Sequence, residues 1–165
     1  MHIDFSPEQR AFRDELRAHF EKLITPEVLD EIRIGDSGGP TYQHILRQLG
    51  EDGLLGIGWP VEYGGQGRGP IEQFIFSDEV QRTGFPLPFL TINTVGPTLM
   101  QHGTEEQRRE FLPRILRGEL NISIGYSEAE AGTDLASLKT RAVRDGDEWV
   151  INGTKMWTSL ATYAD

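Results

Sequence analysis

Asn121-Ile122-Ser123-Ile124-Gly125-Tyr126 is the stretch on which the fold of this 165-residue chain turns. Before it, apolar residues recur every three or four positions, the period of a helix with one buried face. Within it, apolar residues alternate with small or polar ones, the period of a half-buried strand. This change of period predicts an α+β chain: an all-α N-terminal helical domain, then the beginning of an antiparallel β domain. The boundary falls near Leu120, which divides the chain into 1–119 and 120–165.

The helical part is well punctuated. Ser6-Pro7-Glu8-Gln9 joins an N-cap serine, a proline at the first helical position and a glutamine three residues after the cap. Phe12, Leu16, Phe20 and Leu23 then form an apolar stripe. Thr25-Pro26-Glu27 starts a second helix, and a third covers Tyr42 to Glu51, with Ile45, Leu46 and Leu49 inward and Gly53 near its end. Pro70 to Arg82 reads as another helix, stopped by Gly84-Phe85-Pro86-Leu87-Pro88. Phe89 to His102 follows, and Thr104-Glu105-Glu106-Gln107 caps a helix that ends near Gly118. The segment Trp59-Pro60-Val61-Glu62-Tyr63-Gly64-Gly65-Gln66-Gly67 has neither the preceding strand nor the spacing of a dinucleotide-binding fingerprint. It reads as a loop whose glycines supply left-handed backbone angles.

Downstream, Leu138 to Arg144 and Glu148 to Ile151 read as strands joined by Asp145-Gly146-Asp147. Asn152-Gly153 turns the chain into a further strand over Lys155-Met156-Trp157-Thr158. So short a β region is marginal as an independent sheet. The chain therefore reads as a truncated part of a longer protein.

Composition narrows the function. A formal net charge of -10 argues against a nucleic-acid partner. The absence of cysteine removes disulfides, thiol nucleophiles and cysteine-based metal sites, and fits a reducing cytoplasm. Met1-His2-Ile3-Asp4-Phe5 lacks the pattern of a signal peptide. Leu54-Leu55-Gly56-Ile57-Gly58-Trp59 is far too short to span a bilayer, so a soluble, cytoplasmic protein is expected. His2, His19, His44 and His102 are scattered, and neither a hydrolase triad nor H-E-x-x-H is present.

The chemistry-bearing candidate is Ser127 to Thr140, SEAEAGTDLASLKT. Glu128, Glu130 and Asp134 offer hard-metal ligands, but no histidine joins them and the spacing is not that of an EF-hand, so no metal is expected. Asp134 before Leu135-Ala136-Ser137 reads as a cap or turn residue. Ala131-Gly132-Thr133 lacks bulk, which lets a ligand approach the backbone. From the residues alone, a solvated turn and a ligand loop both stand. Trp157 is likewise either core or the wall of a flat-ring site, with Thr158 and Ser159 supplying hydroxyls beside it.

These elements together resemble the acyl-CoA dehydrogenase family. The resemblance runs from Phe5-Ser6-Pro7-Glu8-Gln9 through the Trp59 to Gly67 loop, His102-Gly103-Thr104-Glu105-Glu106-Gln107 and Phe111-Leu112-Pro113. Its most specific parts are Tyr126-Ser127-Glu128-Ala129-Glu130-Ala131-Gly132-Thr133-Asp134 and Asn152-Gly153-Thr154-Lys155-Met156-Trp157-Thr158-Ser159. It implies a helical domain, a middle β domain and a C-terminal helical bundle absent from this segment, with FAD as cofactor. The implied reaction is α,β-desaturation of an acyl-CoA thioester, in fatty-acid or sterol side-chain breakdown. A carboxylate outside this segment would remove the α-proton while hydride passes to flavin N5, so no catalytic residue is assigned here.

Carried over, Ile124, Tyr126 and Ser127 would line the flavin, and Gly132 and Thr133 would approach its pyrophosphate. Thr133 would also touch the substrate's CoA. Trp157 would pack on the isoalloxazine, with Thr158 and Ser159 near N5. Glu128 and Glu130 are expected to be structural. Ala129 stands where the family has proline, Ser127 where it has threonine, and Leu160-Ala161 where it has Asn-Gly. The motif combination is similar to an actinobacterial branch acting on sterol side-chain CoA thioesters. Implied partners are an electron-transfer flavoprotein or similar acceptor, and sister subunits in a homotetramer or an α2β2 heterotetramer. A flavin-dependent oxidase or monooxygenase of the same fold, or a non-catalytic partner subunit, is the alternative.

Overall fold

A computed structural model describes residues 4–35 and 38–165; His2 lies outside them. Two compact units emerge, Met1–Asn121 with Asp165, and Ile122–Ala164.

The first unit contains α1 (Pro7–Leu23), α2 (Pro26–Gly35), α3 (Pro40–Glu51), α4 (Pro70–Thr83), α5 (Gly96–His102) and α6 (Glu105–Leu116). Both expected capping boxes form. Gln9 N–H donates to Ser6 Oγ at 3.2 Å and Ser6 N–H to Gln9 Oε1 at 3.0 Å. Gln107 N–H donates to Thr104 Oγ1 at 3.2 Å and Thr104 N–H to Gln107 Oε1 at 2.9 Å. Each box satisfies two amides that the helix itself cannot.

The core takes Phe12, Leu16 and Phe20 from α1, Ile45, Leu46 and Leu49 from α3, Ile75, Phe76 and Val80 from α4, and Leu112 and Ile115 from α6. Leu23 is only half-buried: α1 ends there, and the cap residue Ile24, at φ -112°, takes the inward place instead. α1 packs on α4, where Phe20 and Phe76 meet at a ring separation of 6.1 Å. The same interface holds Glu79, 3 % exposed, whose carboxylate accepts two hydrogen bonds from Arg17 at 2.7 and 3.0 Å. That paired geometry offsets the desolvation of the acid.

The segment expected as one helix from Phe89 to His102 contains a π-helical turn, Thr91–Val95, before α5. Pro97 explains it. Gly96 N–H donates five residues back, to Thr91 O. In that register the carbonyl of Ile92 would look to Pro97, which has no N–H to give, and it accepts instead from the indole N–H of buried Trp59 at 3.1 Å. A Cβ at Gly96 would lie 2.1 Å from the Trp59 ring, so only glycine admits this contact. The Trp59 to Gly67 connection is a turn-rich loop as expected, with Gly64 and Gly67 at φ 89° and 62°. Gly65 has another reason: its Cβ would meet Trp59 O at 2.1 Å.

The second unit holds one antiparallel hairpin, β1 (Arg141–Asp145) and β2 (Glu148–Asn152), with Val143 opposite Val150. The helical-then-antiparallel α+β reading is thus borne out. Two of the expected strands are not. Residues 121–127 are not assigned as a strand and form no ladder among the described residues. Lys155 to Thr158 cannot continue as one, because Trp157 adopts φ 58°, which breaks the pleat.

Candidate functional site

Within the second unit, the two motif segments come together. Met156 N–H donates to Ser127 O at 2.8 Å. The Lys155 ammonium donates to Tyr126 O at 3.0 Å and to Glu128 Oε1 at 3.0 Å. A Cβ at Gly125 would stand 3.3 Å from the Lys155 stem and 3.4 Å from Thr158 Oγ1, so these two side chains lie against the Gly125 backbone. Alternation along 121–126 suggested a strand; what the segment makes instead is this edge contact with 155–158.

Glu128 organises the loop. Its Oε2 accepts from Lys139 N–H at 2.8 Å and its Oε1 from Thr140 N–H at 2.9 Å. The Thr140 side chain beside it, then the two backbone donors, and last the Lys155 ammonium hold its carboxyl down at about 2. Glu130 pairs with Lys139. Residues 128–131 close a tight turn, with Glu128 N–H donating to Ala131 O at 3.0 Å and Ala131 N–H to Glu128 O at 3.2 Å. Ala129 occupies the second position of that turn, where proline is also well suited. Ala131 is buried, whereas Gly132, Thr133 and Asp134 are exposed. Asp134 O accepts from Ser137 N–H and Oγ at 3.2 and 2.8 Å, closing a short 3-10 turn, Leu135–Ser137.

Of the residues singled out from sequence, Ile124, Ser127 and Thr158 are half-buried, and Ser159 is exposed. Tyr126 and Trp157 are 53 % and 83 % exposed, an unusual amount of bare aromatic surface on one small unit. A Cβ at Gly132 would meet nothing within 4 Å, and its φ is not in the left-handed region. Space, not backbone angle, is what glycine keeps there. Leu160 stands at φ 59°, an angle that the asparagine usual in the resemblance tolerates better. From sequence Glu128 is expected only to be structural, without its partners. Lys155 was not singled out, although a lysine between two motif positions is the signal that could have found it.

Among the described residues no cluster of three or more histidine or acidic side chains is placed to hold a metal. In the helical unit a cavity of about 490 Å³ is lined by Tyr63, Arg108, Arg109, Leu112 and Leu116 among others. Arg108 there already donates to Glu105 at 2.8 Å, and no nucleophile–base pair faces it.

The sequence model of the acyl-CoA dehydrogenase N-terminal domain matches residues 6–119, and that of the acyl-CoA dehydrogenase middle domain matches 123–165. The chain belongs to the acyl-CoA dehydrogenase family. Among its relatives are acyl-CoA dehydrogenases FadE26 and FadE29 of Mycobacterium tuberculosis, 56 % and 53 % identical over the whole of this chain. The chain spans 42 % of the length of each. A crystal structure of the ChsE4-ChsE5 complex from Mycobacterium tuberculosis matches with a TM-score of 0.92 at 55 % identity, covering all of this chain and 42 % of that one. The Tcur3481-Tcur3483 steroid ACAD matches with a TM-score of 0.90 at 53 % identity, covering 100 % of this chain and 43 % of that one. The steroid ACAD among them agrees with the sterol branch that the two motifs resemble. Among the described residues no helix is long and apolar enough to cross a membrane.

Proposed function

We propose that this chain supplies the helical domain (1–119) and the opening of the middle β domain (120–165) of a FAD-dependent acyl-CoA dehydrogenase. Its substrate class is an acyl-CoA thioester carrying a steroid side chain, as the steroid ACAD among its structural neighbours suggests. The observation that carries the reading is the junction of the two motif segments, where Met156 N–H meets Ser127 O at 2.8 Å. What these residues offer fits an isoalloxazine and its phosphates. The carbonyls of Tyr126 and Ser127 are taken by protein donors, which leaves N–H groups and the Ser127 hydroxyl for the acceptor atoms of a pyrimidine edge. Trp157 presents a bare indole face, and Gly132 leaves room for a pyrophosphate against the backbone.

In this reading Ile124, Tyr126 and Ser127 line the ring, and Gly132 and Thr133 meet the pyrophosphate, with Thr133 also toward CoA. Trp157, Thr158 and Ser159 wall the ring near N5. Bound FAD supplies the two-electron acceptor for desaturation between the α and β carbons of the thioester. The base that takes the α-proton lies in the remainder of the protein. Glu128 is unsuited to it, since a carboxylate held at about 2 is a poor proton acceptor near neutral pH. Electrons leave to an electron-transfer flavoprotein or similar acceptor. The assembly is a homotetramer or an α2β2 heterotetramer, the latter in keeping with the two-protein complexes among its neighbours.

Full-length protein, with any partner subunit, is mixed anaerobically with acyl-CoA thioesters of short, branched and steroid side chains. Bleaching of the flavin absorbance, greatest with the steroid thioester, is expected. Colourless protein that takes up no FAD, or flavin that none of the thioesters bleaches, overturns the reading. Fast peroxide formation in air would favour an oxidase. Gly132→Val is expected to leave folding unchanged, since its side chain projects into open space, while FAD affinity falls at least about tenfold.

A further inference from the structure

The proposed flavin-facing segments belong to stretches more than twenty residues apart, and their spacing must be held by something other than a sheet ladder. Beyond the Met156–Ser127 bond, the Lys155 ammonium links them twice. Lys155 Nζ sits 3.0 Å from both Tyr126 O and Glu128 Oε1. Glu128 in turn accepts from the amides of Lys139 and Thr140 at 2.8 and 2.9 Å, which anchors the far end of the 127–140 loop to the same carboxylate. The two side chains are 10 % and 27 % exposed, enough covering to make the pair worth more than a surface ion pair. Gly153, at φ 155°, closes the arrangement from behind: a Cβ there would stand 2.1 Å from Thr140 Oγ1.

Neither acid–base chemistry nor metal binding accounts for Glu128. Its oxygens are turned to two amides and an ammonium, and among the described residues no metal-competent cluster includes it. The amides it gathers lie at the end of the loop that carries Gly132 and Thr133. The lysine it gathers stands next to Met156 and Trp157. A single carboxylate therefore fixes the pyrophosphate-side loop, the Tyr126–Ser127 edge and the Trp157 wall with respect to one another.

We infer that Glu128 and Lys155 form a positioning clamp which sets the geometry of the flavin-facing surface without touching the reacting atoms. The inference rests on the flavin reading above. Lys155 acts by bridging a carbonyl and a carboxylate, so an arginine, which carries several donors on a fixed fork, can replace it. A methionine of similar length cannot. Glutamine at 128 keeps one acceptor oxygen and turns its amide donors toward the remaining partners, so it breaks the clamp while nearly preserving volume.

The test uses the full-length protein stripped of FAD, with Glu128→Gln, Lys155→Met, Lys155→Arg and the double change Glu128→Gln/Lys155→Met. FAD is titrated back, and the visible circular dichroism of the bound flavin is recorded. Glu128→Gln and Lys155→Met are each expected to weaken FAD about tenfold or more and to change the dichroism, as loss of charge-assisted hydrogen bonds would. Lys155→Arg stays within about threefold of wild type with an unchanged spectrum. The double variant is no weaker than the worse single one, because both changes disable one device.

Wild-type affinity and dichroism in Glu128→Gln and Lys155→Met overturn the clamp and leave the flavin reading intact. So does Lys155→Arg as weak as Lys155→Met while both keep wild-type thermal melting, or losses that simply add. Wild-type protein without affinity for FAD overturns the flavin reading and the clamp's role with it. That outcome shows in the first titration, before any variant is made.

Discussion

At the residue scale, Glu128 shows how a side chain that resembles a ligand can be an internal fastener. Isolated in the sequence, it stands two positions from Glu130 and invites a metal. Folded, its oxygens are occupied by the amides of Lys139 and Thr140 and by Lys155. Because its carboxyl is held at about 2, below the ordinary 4.5, its contribution is complete above the unfolded value and fades as pH falls through the folded one. Amide protection factors at Lys139 and Thr140 are therefore expected to be steady down to about pH 4.5 and to collapse on the way to about pH 2. Glu128→Gln should remove that transition. Protection in wild type that falls at the same pH as in Glu128→Gln would show that the carboxylate does not hold the loop. Leu160, at φ 59°, is the reverse case, a residue poorly matched to its backbone angle. Nothing else in the structure explains the leucine.

At the scale of elements, the helices were legible because their signals are local. A serine or threonine cap and a glutamine three residues later bond to each other whatever the rest of the chain does. The π-helical turn at Thr91–Val95 was not legible, because its cause is divided between distant positions. Pro97 withholds a donor, Trp59 supplies one from another loop, and Gly96 clears the space between them. Gly96→Ala drives a methyl into the indole, and overpacking of this kind costs about 1–3 kcal/mol. Urea unfolding of the helical unit should show the loss as a lower midpoint at unchanged slope. An unchanged midpoint would mean that the turn relaxes around the methyl. The strand expected over 121–126 failed for a related reason. Alternation marks an extended segment with two unlike faces, but a strand also needs a neighbour to bond with, and sequence period carries no information about that neighbour.

At the scale of the whole molecule, the two units differ in how much of their own apolar surface they cover. The helical unit buries side chains from α1, α3, α4 and α6 in one core, whereas every position of β1 and β2 is exposed. Val143, Trp149, Val150 and Ile151 all remain open to solvent. Residues 4–121 expressed alone are expected to unfold cooperatively with helical circular dichroism. Residues 122–164 alone are expected to give the spectrum of a disordered peptide, since an isolated hairpin is at best marginal in water. A folded, dispersed amide spectrum from the second segment would contradict this. The sequence by itself determined the two boxed helix starts, the α-then-β order and, through two motifs, the family, since each rests on residues close together in the chain. Only tertiary structure decided that the two motifs meet at Ser127 and Met156, that Gly132 keeps open space, and that Lys155 joins Tyr126 to Glu128. The reason is physical: a hydrogen bond between distant segments depends on where the intervening chain returns, and local propensity does not encode that return.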